Sequence, residues 1–249
     1  MQIDITFQKD RIELPIATAS VVQGLLYKAM EEDPQYSLQL HEVGREGEGR
    51  QFKLFNFSQL KGNYQIEGHT IVFLPQARLT VRSADPYLIQ LLLAYFNRHK
   101  TVQLSNQQVA VREVTLSDPH IYDTQVCVYT LSPITVYRTE QNGHTTYFSP
   151  DDPEFYSGIV SNARRKWISY YGDDTGFALQ IEPAPGMRAK KCATRFKETF
   201  ITGWHGRFVL KAPLPVLNFL YQTGLGSKNS QGFGMFEPAS ENKNHSIAE

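Results

Sequence analysis

The sequence of 249 residues lacks most features that mark a specialised class of protein. It has two cysteines, Cys127 and Cys192, whose spacing fits neither a disulfide framework nor a zinc motif, so a reducing cytoplasm is the expected location. No apolar run approaches the roughly 20 residues of a membrane span. The first ten residues lack the basic and apolar regions of a signal peptide. We therefore expect a cytoplasmic globular protein with no membrane partner.

Motifs for metal or nucleotide chemistry are also missing from the sequence. The histidines show no metal-ligand spacing and no HExxH motif, and no cluster of acidic residues matches a two-metal nuclease. The glycine-rich segment near the C-terminus is not a Walker A loop, because no Gly-Lys-Ser/Thr opens a helix there. We expect neither a metal ion nor another cofactor.

An excess of positive charge is absent as well, since 25 basic residues balance 25 acidic ones. Nucleic-acid binders usually carry a basic footprint. Two local runs are basic nonetheless: Arg164, Arg165 and Lys166, and the segment 185–197, which contains Arg188, Lys190 and Lys191 and no acid. Each run by itself is typical of a solvated face, but together they permit a phosphate-binding surface.

The pattern of apolar residues predicts the same order of elements twice. Residues 2–8 alternate as a strand, a helix follows Thr18 or Ser20 as its cap, and strands are expected at 52–57 and 70–81. Asp85-Pro86 starts a second helix, and extended segments close the half. The second half repeats the order, with helices over 151–172 and 215–224 and a last strand at 232–238.

Two βαββαβ units in tandem predict an α+β protein of two ferredoxin-like, or RRM-like, domains with antiparallel sheets. The polar stretch 118–123 sets the expected boundary, giving domains of residues 1–120 and 121–249. RRM-like sheets often bind single-stranded RNA on aromatic residues, but neither half contains the RNP1 motif. The fold by itself therefore leaves the function open.

The segment GLGSKNSQGFGMF, residues 224–236, resembles the C-terminal glycine-rich motif of the CRISPR-associated repeat-processing endoribonucleases of the RAMP superfamily. The similarity extends to LPIATASVVQGLLYKAM, LHEV, FKLFNFS and TLSPITV, in family order along nearly the whole chain. The resemblance implies cleavage of precursor CRISPR RNA within its repeats. It also implies contact with that RNA through the glycine-rich segment, which holds the expected RNA-binding residues Gly226, Lys228, Asn229, Ser230, Gly232, Phe233 and Gly234.

The resemblance also points to three catalytic residues: Tyr27, His41 and Lys53. A helical wheel independently places Tyr27 opposite the apolar stripe of its helix, beside Gln23, Gly24 and Glu31. A histidine titrates near neutrality and can act as acid or base, and a lysine can stabilise a phosphorane. The segment GREGEGRQ before Lys53 is longer than the family pattern, so Arg45 or Arg50 remains an alternative source of that charge.

Two functions follow from these observations. The first is a metal-independent endoribonuclease that uses the 2′-hydroxyl of RNA as nucleophile and leaves a 2′,3′-cyclic phosphate and a 5′-hydroxyl. The alternative is a non-catalytic RNA-binding subunit of a CRISPR effector complex, against which the joint presence of Tyr27, His41 and Lys53 argues. CRISPR repeat RNA is the expected partner in both cases, with an effector complex and a second copy of the chain left open.

Overall fold

A computed structural model of the chain describes residues 1–40, 44–196 and 199–239. In chain order, the elements of the first half are β1 (Gln2–Gln8), β2 (Ile12–Pro15), α1 (Thr18–Met30), α2 (Pro34–Leu38), β3 (Arg45–Gly47), β4 (Arg50–Phe52), β5 (Phe55–Phe57), β6 (Tyr64–Glu67), β7 (Thr70–Phe73), β8 (Gln76–Ser83), α3 (Pro86–Arg98), β9 (Thr101–Leu104) and β10 (Gln107–Ser117). Those of the second half are β11 (Gln125–Thr130), β12 (Tyr137–Thr139), β13 (Thr145–Tyr147), α4 (Pro153–Tyr171), β14 (Gln180–Pro183), β15 (Lys190–Phe196), β16 (Thr199–His205), β17 (Arg207–Lys211), α5 (Leu214–Thr223) and β18 (Phe236–Pro238).

Each half is built on one antiparallel sheet with the strand order of a βαββαβ unit. The first sheet has the order β5-β8-β1-β10-β9, and the second has the order β14-β17-β11-β18. In both, the first strand of the unit lies between the third and the fourth, and the second strand lies outside the third. The prediction of two tandem ferredoxin-like units is confirmed. The predicted boundary at residue 120 falls in the segment between β10 and β11.

The alternation in β1 explains how the first core forms. Ile3, Ile5 and Phe7 are fully buried on one face, and the strand register sets Ile3 opposite Val81 and Ile5 opposite Leu79. Helices α1 and α3 cover this face with their apolar stripes. The second core repeats the arrangement between β11, β17, α4 and α5. No helix in the described ranges has the length and apolarity needed to cross a bilayer.

The start predicted for α3 agrees with the structure, whereas the cap predicted for α1 does not. Asp85 caps α3, and its carboxylate accepts a hydrogen bond from the Tyr87 backbone N–H at 3.0 Å. The predicted cap of α1 is wrong, because Ala17 is the N-cap and Thr18 is already helical. The Ser20 hydroxyl instead donates back to the Ala17 carbonyl at 3.4 Å.

The predicted strand over 52–57 is interrupted in the structure. Strand β4 ends at Phe52 and β5 begins at Phe55, because Leu54 has a φ of 48° and its side chain is buried in the second core. Lys53 therefore lies in a bend between two strands rather than at the start of one.

Candidate active site

The outer face of α1 forms one wall of a cleft of about 490 Å³. Helix α2 forms the facing wall. The residues that line it are Ser20, Gln23, Gly24 and Tyr27 of α1, the C-cap residue Glu31, and Pro34, Ser37 and Leu38 of α2. The helical wheel placed Gln23, Gly24, Tyr27 and Glu31 on this face. Because the opposite face packs in the first core through Val22, Leu25 and Leu26, the polar face of α1 is left for a ligand.

Tyr27 and Lys53 meet at this cleft. The Lys53 ammonium donates a hydrogen bond to the Tyr27 hydroxyl at 2.7 Å, and its nitrogen lies 5.0 Å from the centre of the Tyr27 ring. The bend at Leu54 directs the preceding residue, Lys53, toward α1 while Leu54 itself enters the second core. Phe55 supports the ring of Tyr27 edge to face, with the centroids 6.5 Å apart.

Burial controls the ionisation of Tyr27. Its side chain is half-buried, and the loss of solvent raises the pKa of the phenol to about 12. Tyr27 therefore keeps its proton at neutral pH, so its hydroxyl can donate a hydrogen bond while it accepts one from Lys53.

His41 lies outside the described residues, so the structure gives no geometry for it. The described chain on its N-terminal side lines the cleft through Leu38. The residues that flank positions 41–43 are hydrogen-bonded to each other, since the Gly44 backbone N–H donates to the Gln39 carbonyl at 2.9 Å.

The two arginines considered in place of Lys53 have other surroundings. Strands β3 and β4 form a hairpin that packs on α4 of the second half. The guanidinium of Arg45 lies 5.1 Å from the centre of the Tyr170 ring, and Arg50 is exposed. Lys53, rather than either arginine, is bonded to Tyr27.

The glycine-rich segment folds into a compact loop between α5 and β18, and its backbone groups are largely used within the protein. The backbone N–H groups of Leu225, Ser227, Gly232 and Gly234 donate to carbonyls at 2.8–3.0 Å. Phe233 is 1% exposed. The side-chain amide of Asn229 donates to the Leu225 and Phe233 carbonyls, both at 3.0 Å. The N–H groups of these four residues and the Phe233 ring are thus engaged within the protein.

Close approach explains the glycines at 226, 232 and 234, all of which have positive φ. A Cβ at Gly226 would meet the Thr135 carbonyl oxygen at 2.7 Å, one at Gly232 the Phe57 ring at 2.6 Å, and one at Gly234 the Leu225 carbonyl oxygen at 1.9 Å. Packing requires glycine at these three positions, and RNA contact by them stays a prediction.

The first basic run does not form the expected surface. Lys166 is 2% exposed, and its amine donates into the glycine-rich loop, so the prediction that it contacts RNA is corrected. Arg164 is exposed but forms ion pairs with Glu48 and Asp174, at 2.7 and 2.6 Å. Arg165 lies 3.6 Å from the Glu48 carboxylate. Through these contacts, residues 164–166 hold the β3–β4 hairpin and the glycine-rich loop against α4.

The second basic run is accessible. Arg188, Lys190 and Lys191 are exposed at the start of the β15–β16 hairpin. In the glycine-rich loop, Lys228 has left-handed backbone angles, and its ammonium lies 5.0 Å from the centre of the Tyr137 ring. Ser230 is partly exposed beside the cleft, where its carbonyl accepts a hydrogen bond from Gln23 at 2.7 Å.

Outside the cleft, the described residues form no metal centre. His205, at the base of the β15–β16 hairpin, is largely buried, which lowers the pKa of its imidazole to about 4 and keeps it neutral. Within residues 1–40, 44–196 and 199–239, no three His, Cys, Asp or Glu side chains are arranged to hold a metal ion.

The paired ferredoxin-like sheets, with a Tyr–Lys cleft in the first half and a glycine-rich loop closing the second, form the tandem fold that the resemblance implied. Residues 116–238, close to half of the chain, match the family model "CRISPR associated protein Cas6, C-terminal". A CRISPR-associated endoribonuclease Cas6 of Pyrococcus furiosus is 27% identical over 91% of this chain and 84% of its own length. A CRISPR-associated endoribonuclease Cas6 of Methanocaldococcus jannaschii is 24% identical over 94% and 91%.

A solved structure described as a RAMP protein binding different RNA substrates has the same fold. Its TM-score is 0.82 at 18% identity, over 96% of this chain and all of that one. These matches confirm the resemblance that the sequence indicated: along nearly its whole length the chain is similar to the CRISPR-associated endoribonucleases named Cas6.

Proposed function

We propose that the protein is an endoribonuclease that cuts precursor CRISPR RNA within its repeats without a metal ion. The observation that carries the proposal is the hydrogen bond between Lys53 and Tyr27 at a cleft large enough for a nucleotide. Two relatives named CRISPR-associated endoribonuclease Cas6 align with more than nine tenths of the chain, which supports the proposal.

The chemistry of the proposal uses the RNA's own 2′-hydroxyl as the nucleophile. Its oxygen bonds to the adjacent phosphorus, its proton leaves to a base, and the bond from phosphorus to the 5′ oxygen breaks as that oxygen is protonated. The products are a 2′,3′-cyclic phosphate and a 5′-hydroxyl. No water and no cofactor is consumed in this step.

Each of the three residues has a separate part in this proposal. Tyr27 keeps its proton, because the pKa of its phenol is raised to about 12, and it orients the reacting oxygen by hydrogen bonding. Lys53 places a positive charge where the phosphorane develops, in a half-buried site where such a charge counts for more than in water. His41 transfers a proton as base or acid.

RNA binding is assigned to the residues that remain accessible. Arg188, Lys190 and Lys191 offer positive charge to the phosphates, and Lys228 and Ser230 lie on the outside of the glycine-rich loop. A CRISPR effector complex and a second copy of this chain belong to the same proposal as protein partners, and size-exclusion chromatography with and without RNA tests both.

Incubation with repeat RNA in EDTA tests the reaction itself. We expect one cut per repeat, and no cut when the nucleotide upstream of the cleavage position carries a 2′-deoxy sugar. Mass spectrometry of the products should show the cyclic phosphate. Cleavage that needs added Mg²⁺ or Mn²⁺, or that proceeds on the 2′-deoxy substrate, would contradict the mechanism. Binding without any cleavage would support the non-catalytic subunit instead.

A further inference from the structure

Lys166 is a buried lysine in the middle of α4 whose side-chain nitrogen lies within hydrogen-bond distance of three acceptors. It bonds the Thr223 carbonyl at 3.5 Å, the Gly224 carbonyl, and the side-chain oxygen of Asn229 at 3.0 Å. The side chain is 2% exposed. A buried amine is retained at such a site only where it is well hydrogen-bonded, so its contacts define how the loop sits on α4.

Asn229 continues these contacts through the glycine-rich loop. While its oxygen accepts from Lys166, its nitrogen donates to the carbonyls of Leu225 and Phe233, which lie on opposite sides of the loop. The Leu225 backbone N–H also donates to Gly234 at 2.8 Å. The loop is therefore closed around a single polar side chain that Lys166 orients.

The closed loop in turn contacts the helix that carries Tyr27. The side-chain amide of Gln23 donates to the Ser230 carbonyl at 2.7 Å, four residues before Tyr27 on the same face of α1. Phe233 is buried in a small apolar cluster that includes Ala19 of α1. Gly232 lies on the Phe57 ring of β5, the strand that follows the bend at Lys53.

We propose that Lys166 is a positioning residue for RNA cleavage: it fixes the glycine-rich loop, and the loop fixes α1 and thereby Tyr27 at the cleft. The inference rests on the proposed function for its kinetic effect, but the physical coupling between α4 and α1 does not depend on it. The loop acts on the geometry of the reaction more than on the affinity for RNA.

Single-turnover cleavage of the Lys166→Met variant tests this, together with equilibrium binding of a repeat RNA that is 2′-deoxy at the cleavage position. Methionine keeps the length and apolar stem of lysine and removes the donors. We expect cleavage to slow by roughly 10- to 100-fold, the usual effect of small displacements in an active site. The affinity should fall by less than the rate, because only Lys228 and Ser230 of the proposed RNA-binding residues lie on this loop. Lys100→Met, at an exposed lysine between α3 and β9, is the matched control and should match the parent in both.

Hydrogen–deuterium exchange gives a readout that does not involve cleavage. Lys166→Met should increase exchange in the glycine-rich loop and in α1, and leave β1 and β10 unchanged. Asn229→Ala breaks the same contacts from the loop side, and should give the same pattern if Lys166→Met does not fold.

A double-mutant comparison with Gln23→Leu separates positioning by the loop from direct RNA contact by Gln23. Lys166 and Gln23 are both expected to position Tyr27 through the glycine-rich loop. The double variant should therefore cleave no more slowly than the slower single variant. Any of three results would overturn the inference. These are parental cleavage rates in Lys166→Met and Asn229→Ala, an equal loss of affinity and rate in these variants, or unchanged hydrogen exchange in α1. Should the parent protein itself not cleave, the proposed function fails, and the exchange experiment still decides the coupling.

Discussion

Lys166 is the residue whose protonation should leave the clearest mark on stability. Burial lowers the pKa of its amine from 10.5 to about 7. The unfolded chain therefore binds a proton between about pH 7 and pH 10.5 that the folded protein has lost. Stability rises with pH wherever the unfolded state binds more protons, so the free energy of unfolding should increase over this window.

Urea unfolding of the parent and of Lys166→Met at pH 7 and pH 9 measures this contribution. The parent should gain stability relative to the variant by on the order of 1 kcal/mol per pH unit. Parallel pH dependences in the two proteins would show that Lys166 keeps an ordinary pKa.

The same residues show what a sequence can and cannot predict about a site. The position of Tyr27 opposite the apolar stripe of α1 followed from helical periodicity alone, and the structure places it in the cleft. Lys166 belongs to the buried stripe of α4 with Ile159 and Ala163, so the same periodicity could have identified it. Its two arginine neighbours instead suggested a solvated basic run.

At the level of elements, the glycine-rich loop joins the two halves by close packing rather than by charge. Gly232 has a φ of +84°, and a Cβ there would lie 2.6 Å from the Phe57 ring. Gly186 has a similar φ of +70°, but nothing lies within 4 Å of the position of its Cβ. Comparing substitutions at Gly232 and Gly186 therefore separates the free-energy cost of a left-handed backbone from the cost of overpacking.

Gly232→Ala should cost more stability than Gly186→Ala. Each substitution carries a left-handed backbone penalty of about 1 kcal/mol, and overpacking against Phe57 should add about 1–3 kcal/mol at Gly232 alone. Urea unfolding free energies of the two variants check the difference. Equal losses would mean that the loop does not press on the first sheet.

The elements themselves were predicted unevenly, for identifiable reasons. Asp85-Pro86 marked the start of α3, and Asp33-Pro34 has the same form at the start of α2, where the Asp33 carboxylate accepts from the Tyr36 backbone N–H at 3.0 Å. Helix α2 was not predicted because it is only five residues long and shows no buried stripe. The break at Leu54 left no local sign, since its φ is set by contacts with the second half.

For the molecule as a whole, Arg82 of β8 is the main polar link between the two halves. It is 1% exposed, and its guanidinium donates to the Phe236 carbonyl at 2.7 Å, to the Tyr221 hydroxyl at 3.0 Å and to the Glu237 carboxylate. It also lies 3.8 Å from the centre of the Tyr221 ring. Sequence alone could not reveal this role, because the partners lie about 140 to 155 residues away.

Arg82→Leu should therefore weaken the joint between the halves. Removing one partner of a buried ion pair costs on the order of 3 kcal/mol, because the other groups lose their hydrogen bonds. Arg78→Leu, at an exposed position four residues earlier on the same strand face, should stay within about 0.5 kcal/mol of the parent. Comparable unfolding free energies for the two variants would remove Arg82 from this account.

We propose that Tyr27 at the cleft and its partner Lys53, together with His41, perform the cleavage. Single-turnover cleavage of repeat RNA by Lys53→Ala and His41→Ala, with equilibrium binding of the 2′-deoxy repeat, tests it most directly. Lys28→Ala is the matched control, since this exposed lysine follows Tyr27 on α1 and pairs with Glu31 at 2.9 Å. We expect His41→Ala to slow cleavage by roughly 10²- to 10⁴-fold, the usual effect of losing an acid or base. Lys53→Ala should also be slow, Tyr27→Phe milder, and affinity nearly constant throughout. Parental cleavage rates for both Lys53→Ala and His41→Ala would contradict the account.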